Sequence, residues 1–486
     1  MMRQRMAALA QRRAQAARPS TQEVDVPLPL SGLFVKAKTA KVSNLYASEL
    51  LNMRSNGVSM VLRPGITWQE SLPTDVLQRI PFEFGATSQY IVLTADYAQS
   101  AAASLWRSFN GQATYAAISS NIIICDGLGQ PVRFNGTSFS AAAFTCAVAD
   151  PATCDGIVAH HDRVFLWKTG GKLEFLYGDV GQITGELQRF PLDRLGNITG
   201  GIQQMVSLTL DAGHGMNDVL CIITTTGQMV VYEGFDPSDA NDWRLTGRVQ
   251  GATPISPRGF AQVGADAWML TPQGVVSISQ SIRESVLALS SDLSRPIADE
   301  ITALIEAGAA DWQLFTAADG SMVVISRVSA GAAQQYIYYL EGRAWATADF
   351  PSRDWHNMGG VPQITGLDGR LGFLRHNGTS EAITARWVSS WFSVGSMRSV
   401  NYLEPTIFAS GPLTVRVVVL SDQQDRAADI AEAEQTIVLD PEETGGTRVT
   451  LSDIIPTDAN GKSFQITLEV TATWAEITGL KAALGS

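Results

Sequence analysis

From Thr114 onward one unit keeps returning: an apolar or aromatic run, a polar turn containing glycine, and a second run, which is the pattern of a β-hairpin. It occurs at Ser120–Gly136, Asp162–Gly178, Asp218–Gly234, Asp266–Ser279, Ser321–Trp345 and Gln363–Gly378, at intervals of about 40 to 56 residues. That period fits one blade of a β-propeller, in which four short strands pack against the next blade around an axis and no blade is stable alone. Long β-sandwiches and β-helices also repeat hairpins, usually at another spacing. The expectation is an all-β chain whose residues 76–385 form a propeller of about six to eight blades.

Three stretches fall outside the repeat. Residues 281–312 place Ile297, Ile301, Leu304 and Ile305 at helical spacing, with Ser294 as a cap and Pro296 in the first turn, and predict a small helical insertion between blades. Residues 386–486 contain Thr414–Ser421, Glu434–Asp440, Thr447–Asp453 and Ser463–Trp474, which alternate apolar and polar residues and predict a C-terminal antiparallel β-sandwich. Before the propeller lie a basic arm, residues 1–22, and an extended lead-in, residues 23–75. The arm's Met2, Met6, Leu9 and Ala10 share one helical face, but a helix this short is marginal in water and is expected to order only on docking.

Charge is distributed unevenly. Arg3, Arg5, Arg12, Arg13 and Arg18 stand in the first 22 residues with no acid, leaving 30 basic against 47 acidic groups in the remainder. Such an acidic body repels duplex DNA unless its cations cluster, so sequence-specific DNA binding is a poor reading, whereas a passive conduit for DNA is compatible with it. With 45% apolar and 17% charged residues the chain has ample material for a core. Cys125, Cys146, Cys154 and Cys221 lack the paired spacing of a zinc site and read as reduced packing residues, with a Cys146–Cys154 disulfide as the lesser alternative. No apolar run approaches the roughly 20 residues of a transmembrane helix. Met6–Ala10 is too short for a secretory h-region, and a mitochondrial transit peptide fits the arm's composition but nothing else in the chain.

The search for catalytic chemistry is mostly negative. The sequence has no G-x-S-x-G elbow, no H-E-x-x-H helix and no P-loop. His160 and His161 are read as opening a strand beside Asp162, in structural or surface roles. The acidic loop with Glu233, Asp236, Asp239 and Asp242 lacks the glycine and final glutamate of an EF-hand and reads as a solvated turn. Asn135-Gly136 and Asn377-Gly378 read as hairpin turns in which both residues tolerate positive φ. The tryptophans, Trp106, Trp167, Trp268, Trp345, Trp387 and Trp391 among them, are read mainly as packing between sheets. No cofactor, no metal and no enzymatic activity are expected.

Four segments, in this order, carry a family resemblance. Ser43–Ile66 contains Arg63-Pro64-Gly65; Val219–Ser279 contains Gly227, Asp236, Pro237, Trp243 and Gly274; Glu341–Gly360 contains Trp345 and Trp355; Ser389–Phe408 follows. Together they resemble the tail nozzle, or packaged-DNA-stabilisation, proteins of short-tailed bacteriophages. The basic arm is not part of that pattern. The resemblance implies a structural virion protein in the tail, forming a hexameric ring below the portal and adaptor rings. Such a ring meets head-tail connector proteins and fibres or spikes, and retains and then conducts the genomic DNA without sequence-specific binding. The alternative from another class is a carbohydrate-binding or glycoside-cleaving propeller, which, if cleaving, needs two carboxylates facing the sugar across the propeller mouth. An intracellular scaffold propeller is disfavoured because no WD or kelch signature recurs.

Overall fold

The computed structural model describes residues 22–35, 43–69, 75–211, 216–284, 293–308, 312–327, 335–375, 381–409, 411–422, 431–437, 448–450 and 459–485. The basic arm with its five arginines, Asn377-Gly378, the last three residues of Glu434–Asp440 and most of Thr447–Asp453 lie outside them. The chain divides into two units, one of residues 66–340 and 348–374, the other of residues 1–65, 341–347 and 375–486.

The first unit is a β-propeller. Six separate sheets of three or four strands, together with the ladder of Trp312–Thr316, Met322–Arg327 and Gln335–Tyr339, make seven blades. Each of the six hairpins anticipated from sequence supplies the second and third strands of a blade, in blades 2 to 7. Blade 1, Gln78–Phe84 through Ser104–Trp106, carries no such signal because its outer strands are three residues long.

The apolar runs have a direct cause. A middle strand is covered on both faces, so both sets of alternating side chains must be apolar. In Asn121–Cys125, Ile122 and Ile124 join the core shared with blade 1, whereas Ile123 and Cys125 join the core shared with blade 3. In Arg163–Trp167 the same alternation sends Val164 and Leu166 one way, Phe165 and Trp167 the other. Burying one such side chain contributes about 1.5–3 kcal/mol, and every middle strand does so twice over.

The last blade closes the ring. Its strands Ser352–Met358, Val361–Gly366 and Leu371–Arg375 take their fourth partner, Gly65–Trp68, from the start of the propeller sequence. Blade 5 has three strands, and the helix Ile278–Glu284 follows where blades 1 to 4 carry a fourth. A second helix spans Ala298–Glu306. Its N-cap is Ile297, without a side-chain hydrogen bond, so the predicted cap at Ser294 is displaced by three residues. Ser294 instead donates to the Val275 carbonyl at 3.3 Å, because the chain makes a turn, Ile297 N to Ser294 O, before the helix begins.

The second unit is a mainly antiparallel sheet domain, with parallel pairing of Ala47–Leu51 with Ala344–Ala348 and parallel bridges from Gly32 to Trp345 and from Leu33 to Ala47. Its strands Phe392–Ala409, Asn460–Ala472 and Ala475–Gly485 each pair with three partners. A strand with more than two neighbours leaves one ladder and enters another along its length, which is how sheet corners are made. Phe392–Ala409 does this at Ser399, which is the last residue paired with Asn460–Ala472 and the first paired with Ala475–Gly485. The alternation foreseen in Thr414–Ser421 is real: Val415, Val417 and Val419 are buried and Thr414, Arg416 and Val418 half-buried. The lead-in is not merely extended, since Ala47–Leu51, Met53–Ser55 and Met60–Leu62 are strands of this same domain. On the C-terminal side the units divide at residues 374 and 375, earlier than the sequence boundary at 385 and 386.

Candidate functional site

The inner strands of all seven blades border one axial cavity of about 600 Å³. Three residues on its wall are basic or titrate as bases, Arg79, Arg258 and His356, and no Asp or Glu lines it. Just behind the wall sits Asp354, 1% exposed at its side chain.

Asp354 joins three blades. Its Oδ1 pairs with Arg258 Nη2 of blade 5, and its Oδ2 accepts the Arg79 backbone N–H of blade 1 at 3.0 Å. Burial by itself would raise the Asp354 carboxyl, but Arg258, then His356 and the Arg79 amide, overcome it and hold it at about 2. Arg79 spends its guanidinium on blade 7, Nη1 donating to Thr365 Oγ1 and Nη2 to the Gly369 carbonyl, both at 2.7 Å. Burial lowers Arg79 to about 10, opposed by Asp354, and it remains charged at neutral pH. Burial also lowers His356, so its imidazole is neutral there, against the opposing effect of Asp354. Tyr90 donates to Gln363 Oε1 and stands edge-on to His356 at 5.4 Å.

Other blade junctions add single polar side-chain contacts to their shared apolar cores. Gln313 donates to the Trp355 carbonyl at 2.9 Å and accepts its N–H at 3.2 Å. Gln78 reaches the Ala113 carbonyl at 3.0 Å, and His160 Nδ1 meets Ser207 Oγ at 2.8 Å. His160 ends its strand instead of opening one; His161 and Asp162 form the two-residue hairpin loop that follows, with φ of 48° and 56°. Right-handed strand twist favours such a loop with two positive φ values. At Asn135-Gly136 only the glycine is left-handed, at φ 92°. Asn135 acts through its side chain, which accepts the N–H groups of Thr137 and Ser138.

The family-motif residues occupy structural positions. Arg63 Nε donates to Asn52 Oδ1 at 2.8 Å, Pro64 follows, and Gly65 begins the strand that closes the propeller. Gly227 and Gly274 turn hairpins at φ of 80° and 111°. A Cβ at Gly274 would come within 2.5 Å of Ser294 Oγ. Asp236, beside Pro237, accepts from Ser238 N and Oγ and lies 3.4 Å from Arg163 of the neighbouring blade. Asp242 accepts the N–H groups of Phe235 and Asp236, and Asp239 that of Asn241, so these carboxylates shape the turn. Trp243 stacks on Tyr232 at 5.2 Å, and Trp355 stands edge-on to Phe350 at 5.2 Å, both in the propeller. Trp345, 2% exposed, belongs to the sheet domain, where its carbonyl accepts the Leu33 N–H at 2.7 Å. Trp106 is the departure among the tryptophans, 76% exposed on a blade edge.

All four cysteines are free; Cys125 and Cys154 are buried in one core, with Cys146 packed against it. Among the described residues no group of His, Cys, Asp and Glu is arranged to hold a metal ion, and no helix is long and apolar enough to cross a membrane. The Asp354 cluster escaped the sequence reading because Asp354 and Arg79 stand 275 residues apart and no member stands in a motif.

No family profile and no curated protein sequence matches the chain. Among solved structures it is similar to BamB from Moraxella catarrhalis, with 10% identity over 64% of this chain and 100% of that one and a TM-score of 0.36. It is also similar to the Cps50 (Swd1) β-propeller domain of Myceliophteria thermophila, with 12% identity, 64% and 99% coverage and a TM-score of 0.39. YCF48 from Cyanidioschyzon merolae gives 12% identity, 63% and 98% coverage and 0.36.

Proposed function

We propose that this chain is a non-enzymatic structural subunit of a phage tail nozzle, six copies of which form a ring below the portal and adaptor that retains and then conducts the genome. The observation that carries the reading is where the four family-like segments fall. Arg63-Pro64-Gly65 stands where the chain passes from the sheet domain into the propeller-closing strand. Val219–Ser279 makes most of two successive blades, Glu341–Gly360 leads through the sheet domain into the last blade, and Ser389–Phe408 contains nearly all of the domain's longest strand. Each segment marks a junction or a spine of the fold.

The acidic balance of the body supports the same role, because a ring of net negative charge holds phosphates weakly and lets DNA slide. A glycoside-cleaving centre within the axial cavity would need carboxylates on its wall, and those lining residues include none. A ring of identical subunits repeats one heterologous contact until the rotation closes, and a permanent contact usually buries more than about 2,000 Å². Mass measurement on virus-derived particles, with imaging of the tail, should give six copies about one axis. A monomer or a two-fold dimer in the virion overturns the assignment.

A further inference from the structure

We propose that the axial cavity of the propeller is a binding site for an oxyanion, the carboxylate or phosphate of a small hydroxylated molecule, held by Arg258 and Tyr115. The inference concerns the propeller alone and does not depend on the ring.

The wall is one positive charge in excess. Arg79 and Arg258 are both cationic, Asp354 balances one of them, and His356 is neutral. Arg258 is 10% exposed at its side chain; its Nη2 is held by Asp354, while Nη1 is buried and has no hydrogen-bond partner. A buried guanidinium N–H left unpaired is costly, and the acceptor that suits its geometry and charge is an oxyanion. His356 Nε2 is a second buried wall atom without a partner.

Tyr115 adds a donor. It sits on the inner strand of blade 2 and yet is 40% exposed, because it borders the cavity. It shares the cavity wall with Arg258, and its phenol, raised by burial and then by Asp354 against Arg258, keeps its proton at neutral pH. Gln78 and Gln204 line the same cavity, and each has a buried Oε1 without a partner, an acceptor for ligand hydroxyls. A volume of about 600 Å³ is in the range of small-molecule pockets.

The test is equilibrium dialysis and calorimetry on the full chain with three probes: gluconate, inorganic phosphate and neutral glucose. Gluconate is expected to bind, and Arg258→Lys, which keeps a charge for Asp354 but loses the second guanidinium N–H, should weaken it at least tenfold. Phosphate binding as tightly as gluconate assigns the site to free phosphate; gluconate binding more tightly assigns it to an organic anion; both support the proposal. Should Arg258→Lys not fold, Tyr115→Phe and Gln204→Leu read the same site and should each weaken gluconate several-fold. Glucose binding as well as gluconate, an affinity unchanged in the variants, or no binding of any probe at millimolar concentration overturns it.

Discussion

The propeller and the sheet domain solve the same problem, joining strands distant in sequence, by different means. In the sheet domain the backbone does it: Leu413–Ser421 pairs residue for residue with Phe464–Ala472, and the side chains need only alternate. Between blades there is little backbone pairing, so particular side chains carry the junctions, among them Asp354, Arg258, Arg79 and Gln313. A ladder spreads its specificity over many equivalent bonds, whereas a blade junction concentrates it in a few buried polar groups. The propeller should therefore be the more sensitive to single polar substitutions and to acid, and the sheet domain more tolerant.

The largest effect is expected for Asp354→Ala, which strands a buried arginine and an amide N–H. It should destabilise the propeller by about 3–5 kcal/mol, read by denaturant unfolding. Hydrogen exchange should show protection lost in blades 1, 5 and 7 first, and a loss of protection centred on the sheet domain would break the comparison. Gly274→Ala should cost about 1–3 kcal/mol from its left-handed φ and its approach to Ser294; an unchanged unfolding midpoint would remove that hairpin from the argument.

Acid sharpens the contrast further. His160 is 3% exposed and burial, with His161, lowers it to about 4. The unfolded chain takes up this proton first, so the contribution to stability is complete above about pH 6.5 and is lost as pH falls toward 4, by about 1–3 kcal/mol. Asp354, also depressed, contributes above the ordinary carboxylate value and loses that contribution as pH falls from about 4 toward 2. His160→Gln should reduce the slope in the first window, where the buried His356 also contributes, and leave the second; an unaltered slope between pH 6.5 and 4 would exclude His160 as a source. The smallest effect is expected for Ile466→Val, on a fully buried ladder position, at about 0.5–1.5 kcal/mol. A cost above 3 kcal/mol in the same unfolding assay would show that the sheet domain, too, depends on particular side chains.

The sequence by itself determined the repeat, because a strand covered on both faces must be apolar at every position and its turns must admit positive φ, and IIIC in Asn121–Cys125 and VFLW in Arg163–Trp167 state both in local code. It also carried the alternation of Thr414–Ser421, which a one-sided sheet imposes at period two. What only the tertiary structure decided is everything that depends on which distant residues meet. Blade 1 ends in two strands of three residues, too short to signal themselves. Gly65–Trp68 completes a blade whose other strands begin nearly 290 residues later. The Asp354 cluster and the unpaired Arg258 nitrogen beside the cavity exist only once blades 1, 5 and 7 are brought together. Periodicity is a property of neighbours along the chain, whereas charge pairing and desolvation are properties of neighbours in space, and closing a ring converts one into the other.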